Sequence, residues 1–419
     1  MQTTVLDAKV RFVEQAFLRP LIISSGAITE ISEAVAEVAV RVEGKEATGR
    51  GSIYLSDLWA WPEPSLAHAA RDAVLRKLCE EIAANLWTHC GREAIHPLEL
   101  GLRLHESVCH ESTPPPLARA MCASPFDAAI HDAVGIALGR SAFDFYRDST
   151  PIPTADPFFA KRDTCGAIAL LMRPPKRALL AWYVAGKKDS MERDVGPWIR
   201  DRGYRCFKIK ILGRDNAADV ARTVEVFREA RRLGAREPVL TVDTNEANPD
   251  AASVLDFYQR LRAADAEAFA ALVYFEQPTG RDITVHRFDW RPVAALKPVM
   301  LDEGLTSLEL MHQALEQGWS GFALKTCKGH SFALTAAAWA RQNDLLLSLQ
   351  DLTNPGLSMI HAALFAAHVP TLNDVELNSP QFTPAANRPW LARLPGLFDP
   401  HGGVHRLPEQ IPVGLGSVL

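Results

Sequence analysis

Three amines and three carboxylates recur at the ends of short apolar runs between residues 206 and 327. The runs are CFKIKI, VLTVDTN, LVYFEQP, PVMLDEG and GFALKTC, and the polar residues are Lys208, Lys210, Asp243, Glu276, Asp302 and Lys325. Carboxylates from three consecutive runs supply hard oxygen ligands that suit an octahedral Mg2+, with room for water and substrate, better than zinc. Within an alternating strand Lys208 and Lys210 point to one side and Ile209 to the other. Two adjacent ammonium groups disfavour charging both, so at least one is expected to have a lowered pKa and to serve as a base near neutral pH. A solvated lysine pair is the plainer reading, but Phe207, Ile209 and Ile211 mark a buried strand, where lysine is rarely placed without a task. Each acid taken singly fits a helix N-cap. Three at the same position of successive units, facing lysines, fit a shared site. Asn245 follows Asp243 at a same-side spacing and is expected to hydrogen-bond around the metal.

These residues must be held by regularly repeated elements. From Lys210 the steps to Asp243, Glu276, Asp302 and Lys325 are 33, 33, 26 and 23 residues. That is about one strand and one helix per step, the rhythm of a parallel sheet. In an eight-fold (β/α) barrel the C-terminal strand ends converge on one face, where catalytic groups sit. Strand 1 is expected in RALLAWYVAG, strands 2 to 6 in the five runs, strand 7 in LLLSLQD ending at Asp351, and strand 8 in DVELN with Glu376 and Asn378. The N-terminal part is expected to be α+β: strands at 6–16 and 35–43 around a loop LRPLIISSGAITEIS, then helices from about Ser65 to Leu138. In SPFDAAIHDAVGIALG, Ser124 reads as the N-cap, Pro125 as the first helical residue and Gly139 as the stop. Five prolines between 149 and 177 mark the passage between units. The expected domains are 1–160, 175–380 for the barrel, and 381–419 as a segment packing back on the first.

Composition narrows the partners. The 419 residues are 47% hydrophobic and 23% charged, with a net charge of −5 and no long basic run, which argues against nucleic acid or an anionic membrane. A small-molecule substrate is the default. Seven cysteines without a CxxC pair point to a reducing, cytoplasmic setting. MQTTVLDAKVRFVEQ has no apolar signal region, and no stretch of about 18 apolar residues occurs.

In order, FKIKI, VDTN, YFEQP, LDEG and ALKTCKG resemble the strand-end motifs of the enolase superfamily, in its mandelate racemase and muconate lactonizing enzyme branch. The resemblance implies a modified TIM-type barrel under an N-terminal α+β capping domain, a homo-oligomer, and Mg2+, with Mn2+ as a substitute. It implies Lys210 as base on one face of a carboxylate substrate, Lys208 as its electrostatic partner and Lys325 as acid or base on the opposite face. Asp243, Glu276 and Asp302 would hold the metal, with Glu303 the alternative third ligand and otherwise a neighbour orienting Lys325. RPLIISSGAIT and GRGSIYLSD stand where the branch has specificity loops, which implies Ile22, Ile23, Tyr54, Asp57, Trp59 and Trp61 around an apolar distal pocket, with Glu376 and Asn378 opposite. A lysine on strand 6 resembles the lactonizing subgroup. LLLSLQD has no His, which argues against a His/Asp dyad, so His330 and His361 read as structural. Glu376-Leu377-Asn378 departs from the Asp-x-Asp of dipeptide epimerases, and TCKGHS lacks the subgroup's double glycine. The implied activity is abstraction of an α-proton through an enediolate, giving racemisation, epimerisation or cycloisomerisation. The alternative is elimination of water. A lysine Schiff-base aldolase would not need three carboxylates, and a binding protein on a decayed barrel would have lost a ligand or lysine.

Overall fold

The computed structural model describes residues 1–23 and 25–419. The chain opens with three antiparallel strands in the order β1 (Thr3–Ile23), β2 (Gly26–Val42) and β3 (Lys45–Tyr54). This corrects the expected loop over residues 18–32, most of which is strand, while Ser24 lies outside the described residues. Pro20 is tolerated because β1 is an edge strand and its pairing with β2 breaks register between Ala16 and Leu21, where no ladder N–H is demanded.

A short helix α1 (Asp57–Ala60) follows, then α2 (His68–Cys90), α3 (Pro97–Cys109) and α4 (Pro116–Leu138). Helix α4 starts nine residues earlier than expected, and Ser124-Pro125 lies inside it. Proline has no N–H for the Met121 carbonyl, and the Ser124 hydroxyl donates to that carbonyl instead at 2.8 Å. Gly139 does end the helix, in the left-handed conformation. Helix α4 is buried nearly all round because it is covered on both faces. On one side β3 approaches so closely that a Cβ at Gly51 would stand 2.1 Å from the Pro125 carbonyl oxygen. On the other, Asp127 accepts bonds from the backbone N–H of Ser331 (2.8 Å) and its hydroxyl (2.7 Å), capping the helix His330–Gln342 from outside.

The expected strand 1 divides in two. β4 (Ala178–Leu180) pairs with β12 (Val404–Arg406) near the C-terminus, and β5 (Trp182–Ala185) enters the main sheet. That sheet continues through β6 (Cys206–Lys210), β7 (Val239–Asp243), β8 (Leu272–Glu276), β9 (Val299–Leu301), β10 (Gly321–Lys325) and β11 (Leu346–Gln350). The seven strands are parallel neighbours in chain order, an α/β half-barrel curled so that Lys208, Thr241, Tyr274, Met300, Ala323 and Ser348 turn to one buried side. The expected eighth strand is reduced to one parallel bridge between Gln350 and Glu376. The far edge is met by a side chain: Gln381 accepts from the Val184 N–H (3.0 Å) and donates to the Val184 carbonyl (2.8 Å). Residues beyond 381 return to α4, where Asp132 accepts the Leu415 N–H at 2.7 Å. No helix of the described residues is long and apolar enough to cross a membrane.

Candidate active site

Strand alternation and shared register bring the expected residues to one end of the sheet. Lys210 pairs in register with Asp243, and Asp243 with Glu276, so three successive strands end at one level. Tyr274, Met300 and Ala323 form an apolar layer beneath them. Above it Lys208 reaches both Glu276 oxygens (2.8 and 2.7 Å), Asp243 (3.2 Å) and Glu376 (3.3 Å). Lys210 bonds Asp243 and the Asn245 side-chain oxygen (2.9 Å). Lys325 bonds Asp302, stands 3.8 Å from Glu276 and lies 5.0 Å from the centre of the Trp59 ring.

Tertiary neighbours, not the adjacent lysine, set the proton affinities. Burial works against the Lys208 charge, but Glu276, Glu376 and Asp243 overcome it and hold the ammonium well above the ordinary lysine range. The lowering expected from the lysine pair is therefore reversed at Lys208. Lys325 is raised as well, by Asp302 and Glu276 against its burial. Asp243, despite its burial, is held down to about 2 by Lys210 and Lys208. Burial pushes Glu276 up to about 8, Glu303 to about 7 and Asp351 to about 7.

That division reflects a shortage of positive charge. The buried carboxylates are Asp243, Glu276, Asp302, Glu303, Asp351 and Glu376, and the buried ammonium groups are Lys208, Lys210, Lys325 and Lys328. Six acids against four amines leave two more acids than amines, a mismatch met here by raising Glu276, Glu303 and Asp351 and one that a divalent cation would meet by its charge. Glu303 Oε2 is buried without a hydrogen bond, and Asp302 Oδ1 has only the Lys328 ammonium at 3.1 Å. Hard oxygens in excess fit Mg2+ chemically. In the present arrangement no three His, Cys, Asp or Glu side chains of the described residues are grouped closely enough to hold a metal, because Lys208 stands between Asp243 and Glu276 and Lys325 between Glu276 and Asp302.

A cavity of about 60 Å3, room for about four waters, lies at this cluster. Lys208, Lys210, Asp243, Asn245, Glu276, Lys325, Ile23, Tyr54, Trp59 and Asn378 all line it. Asp302, Glu303 and Glu376 are buried behind this lining, and Asp57 is turned away into ion pairs with Arg71 (2.8 Å) and His68 (3.0 Å). Ile22 and Trp61 are not among the lining residues. Glu303 accepts the Trp59 indole N–H at 2.8 Å and an Asn245 N–H at 3.3 Å, so it positions Trp59 rather than bonding Lys325. His330 and His361 lie away from the cavity, bonded to each other at 2.9 Å, and His131 and His368 complete an imidazole group with Phe143.

Three contributors escaped the sequence reading. Gln350 donates to Glu276 and lines the cavity; counting by two from Ser348 points to it rather than to Asp351. Lys328, one turn past Lys325, bonds the Asp302 carbonyl at 2.5 Å. Arg281 donates to the Trp59 and Ala60 carbonyls (3.1 and 3.2 Å) while pairing with Glu246, and no local signal announces it.

A family model described as enolase C-terminal domain-like matches residues 190–419. The fold is similar to that of muconate lactonizing enzyme from Pseudomonas fluorescens complexed with muconolactone, with 18% identity over 99% of this chain and 96% of that one and a TM-score of 0.67. Similar again are dipeptide epimerase from Enterococcus faecalis V583 complexed with Mg and the dipeptide L-Leu-L-Tyr (15% identity, 99% of each chain, TM-score 0.67) and an enolase from Bradyrhizobium complexed with magnesium and mandelic acid (18% identity, 99% and 96%, TM-score 0.65). Comparison with curated proteins finds no match.

Proposed function

Because the chain belongs to the enolase superfamily through its enolase C-terminal domain-like residues 190–419, we propose that it is a Mg2+-dependent isomerase that abstracts the α-proton of a small carboxylate. The outcome is racemisation, epimerisation or cycloisomerisation, with elimination of water as the second reading, since the same lysines serve a leaving group. The observation that carries the proposal is the pair of lysines, Lys210 on β6 and Lys325 on β10, lining one cavity with carboxylates between them. In this reading the curled sheet is a modified TIM-type barrel (175–380), residues 1–160 form its capping domain, and 381–419 pack back on that domain.

Asp243, Glu276 and Asp302 are the residues that would hold the metal, and the magnesium in two similar structures supports that choice. Bound there, the cation would neutralise the charge that develops on the substrate carboxylate. Lys210, oriented by Asn245, takes the proton on one face. Lys325, held as an ammonium, returns one on the other. Lys208 keeps a fixed positive charge beside the developing anion, where it counts most in a dry site. Trp59, fixed by Glu303 at the indole and by Arg281 at the carbonyl, covers Lys325 and keeps water from it. The test is α-proton exchange in D2O across a library of carboxylic acids with Mg2+. Exchange that vanishes in Lys210→Ala and Lys325→Ala combined supports the proposal; no exchange with any acid, or exchange indifferent to both lysines, refutes it.

A further inference from the structure

A cavity of about 60 Å3 is too small for most organic acids, and a second cavity of about 250 Å3 adjoins it, sharing Leu21, Val184 and Lys210 as walls. The second cavity is bounded by the turn after β5. Asp189 accepts the Gly186 N–H (2.9 Å) to close that turn, and Arg222, from the helix Asn216–Arg232, donates to the carbonyls of Gly186 (2.8 Å) and Asp189 (3.0 Å). The turn is thus fixed from two sides.

Of its cations, Arg19 is already answered: it donates to the Tyr183 hydroxyl (2.8 Å), faces Asp189 at 3.4 Å and lies over the Phe382 ring. Lys187 and Lys188 are not, for neither has a hydrogen bond or ion pair among the described residues. Lys188 is exposed, but Lys187 is half-buried. Burial holds its ammonium below the usual lysine range, and the charge of Lys210 adds to this against the pull of Asp219. A partly desolvated cation on a rigid turn, with Leu21, Val184 and Phe382 around the same cavity, feels Asp219 and Asp243 only at a distance and has no carboxylate in contact, a place that a ligand can fill.

We propose that Lys187, with Lys188 beside it, binds a second carboxylate of the substrate and thereby determines specificity for dicarboxylic acids. The reacting carboxylate lies toward Lys210 and the distal one at Lys187. This rests on the strand-end cluster being the reacting centre. The apolar residues Ile23 and Tyr54 then line the middle of the substrate rather than its far end.

The test is calorimetric titration of the full chain with Mg2+, using glutarate against pentanoate and adipate against hexanoate. The diacids should bind about 10-fold more tightly than the matched monoacids, the scale of one charge-assisted hydrogen bond at a half-exposed position. In Lys187→Gln that ratio should fall close to one, and in Lys187→Arg it should persist. Equal binding of both acids by the wild type, or a ratio unchanged in the Lys187→Gln/Lys188→Gln double variant, overturns the proposal. Exchange of α-protons in the same acids separates the two readings. A preference that depends on Lys187 without exchange keeps the subsite and defeats the reacting centre, whereas exchange without the preference does the reverse.

Discussion

The polar cluster at the strand ends and the histidine cluster behind the sheet meet the cost of burial in opposite ways. Behind the sheet, His330 and His361 share a hydrogen bond, His131 reaches the Asp127 carbonyl at 3.0 Å, and His368 stacks on Phe143 with 4.2 Å between ring centres. Burial pushes His361 down to about 3 and His330 well below its ordinary value, so these rings are neutral. Nε2 of His330 finds no partner, which strands a neutral group at modest cost. At the strand ends, by contrast, ammonium and carboxylate groups crowd together, and the acids in surplus are held protonated longer than usual. The difference teaches where to look for chemistry: a cluster whose rings bond among themselves holds elements together, and one whose acids outnumber its amines has a place for a cation from outside.

The largest effect expected concerns the lysines. Lys210→Ala and Lys325→Ala should each lower kcat/KM by about 10^3-fold, the usual range for losing a general acid or base, while each keeps deuterium exchange with the one enantiomer whose proton faces the surviving amine. Steady-state kinetics and exchange followed by NMR check this, and equal exchange of both enantiomers by both variants defeats the two-face arrangement. His361→Gln, in the neutral cluster, should leave the stereochemistry of exchange as it is in the wild type.

Metal affinity sharpens the contrast next. Asp243→Asn and Glu276→Gln should weaken Mg2+ binding by more than about 100-fold, above the range for residues that only support a ligand. Calorimetry showing unchanged affinity in either variant removes that residue from the ligand set.

The pH response separates the clusters in sign. A buried histidine whose folded pKa lies below its unfolded value of about 6.5 leaves stability untouched above that pH. Below it the unfolded chain takes up the proton first, and stability is lost at about 1.4 kcal/mol per pH unit per ring until the folded pKa is reached. For His361 the window runs from about 6.5 down to about 3. The raised carboxyls of Glu276 and Glu303 act the other way, stabilising at low pH and losing that contribution as pH rises through about 8 and about 7. Urea unfolding between pH 5 and 7 should therefore show a shallower pH slope in His361→Gln than in the wild type. An identical slope would mean that this ring does not titrate on unfolding.

The smallest effect expected is at Trp59. Trp59→Phe keeps a ring over Lys325 but takes from Glu303 the shorter of its two hydrogen bonds, leaving only Asn245 at 3.3 Å on a carboxylate whose other oxygen already lacks a hydrogen bond. A rise in KM of roughly 5- to 10-fold is expected, the cost of one unsatisfied buried group. No change would reduce Trp59 to packing.

The strands and their polar ends were legible because buried β-branched runs ending in charge are rare and repeat at a constant spacing. The inward set follows from alternation, which places Lys208 with Lys210 and, counted with the same care, Gln350. What escaped depends on contacts distant in the chain. That Lys208 is the lysine held charged is not visible from its neighbour in sequence, since the groups that dominate it arrive from β7, β8 and Glu376. Pro20 and Pro125 were each taken as boundaries, yet one falls in a register break and the other beside a serine that satisfies the stranded carbonyl. Arg281 holds Trp59 through a backbone carbonyl 222 residues away, a partner with no side-chain identity for a sequence to display.

The bond pair between Gln381 and Val184 changes how the fold can be lost. A peptide group cannot be deleted by a point mutation, since every residue except proline carries the same donor and acceptor, and ladders made of peptides are in that sense heritable at no risk. At this seam the same donor and acceptor come from one amide side chain. A single-base change at codon 381 from glutamine to glutamate keeps the acceptor but removes the donor, and leaves the Val184 carbonyl facing an anion. Closure of the sheet at β5 is thus exposed to mutation in a way that pairing elsewhere in the same sheet is not.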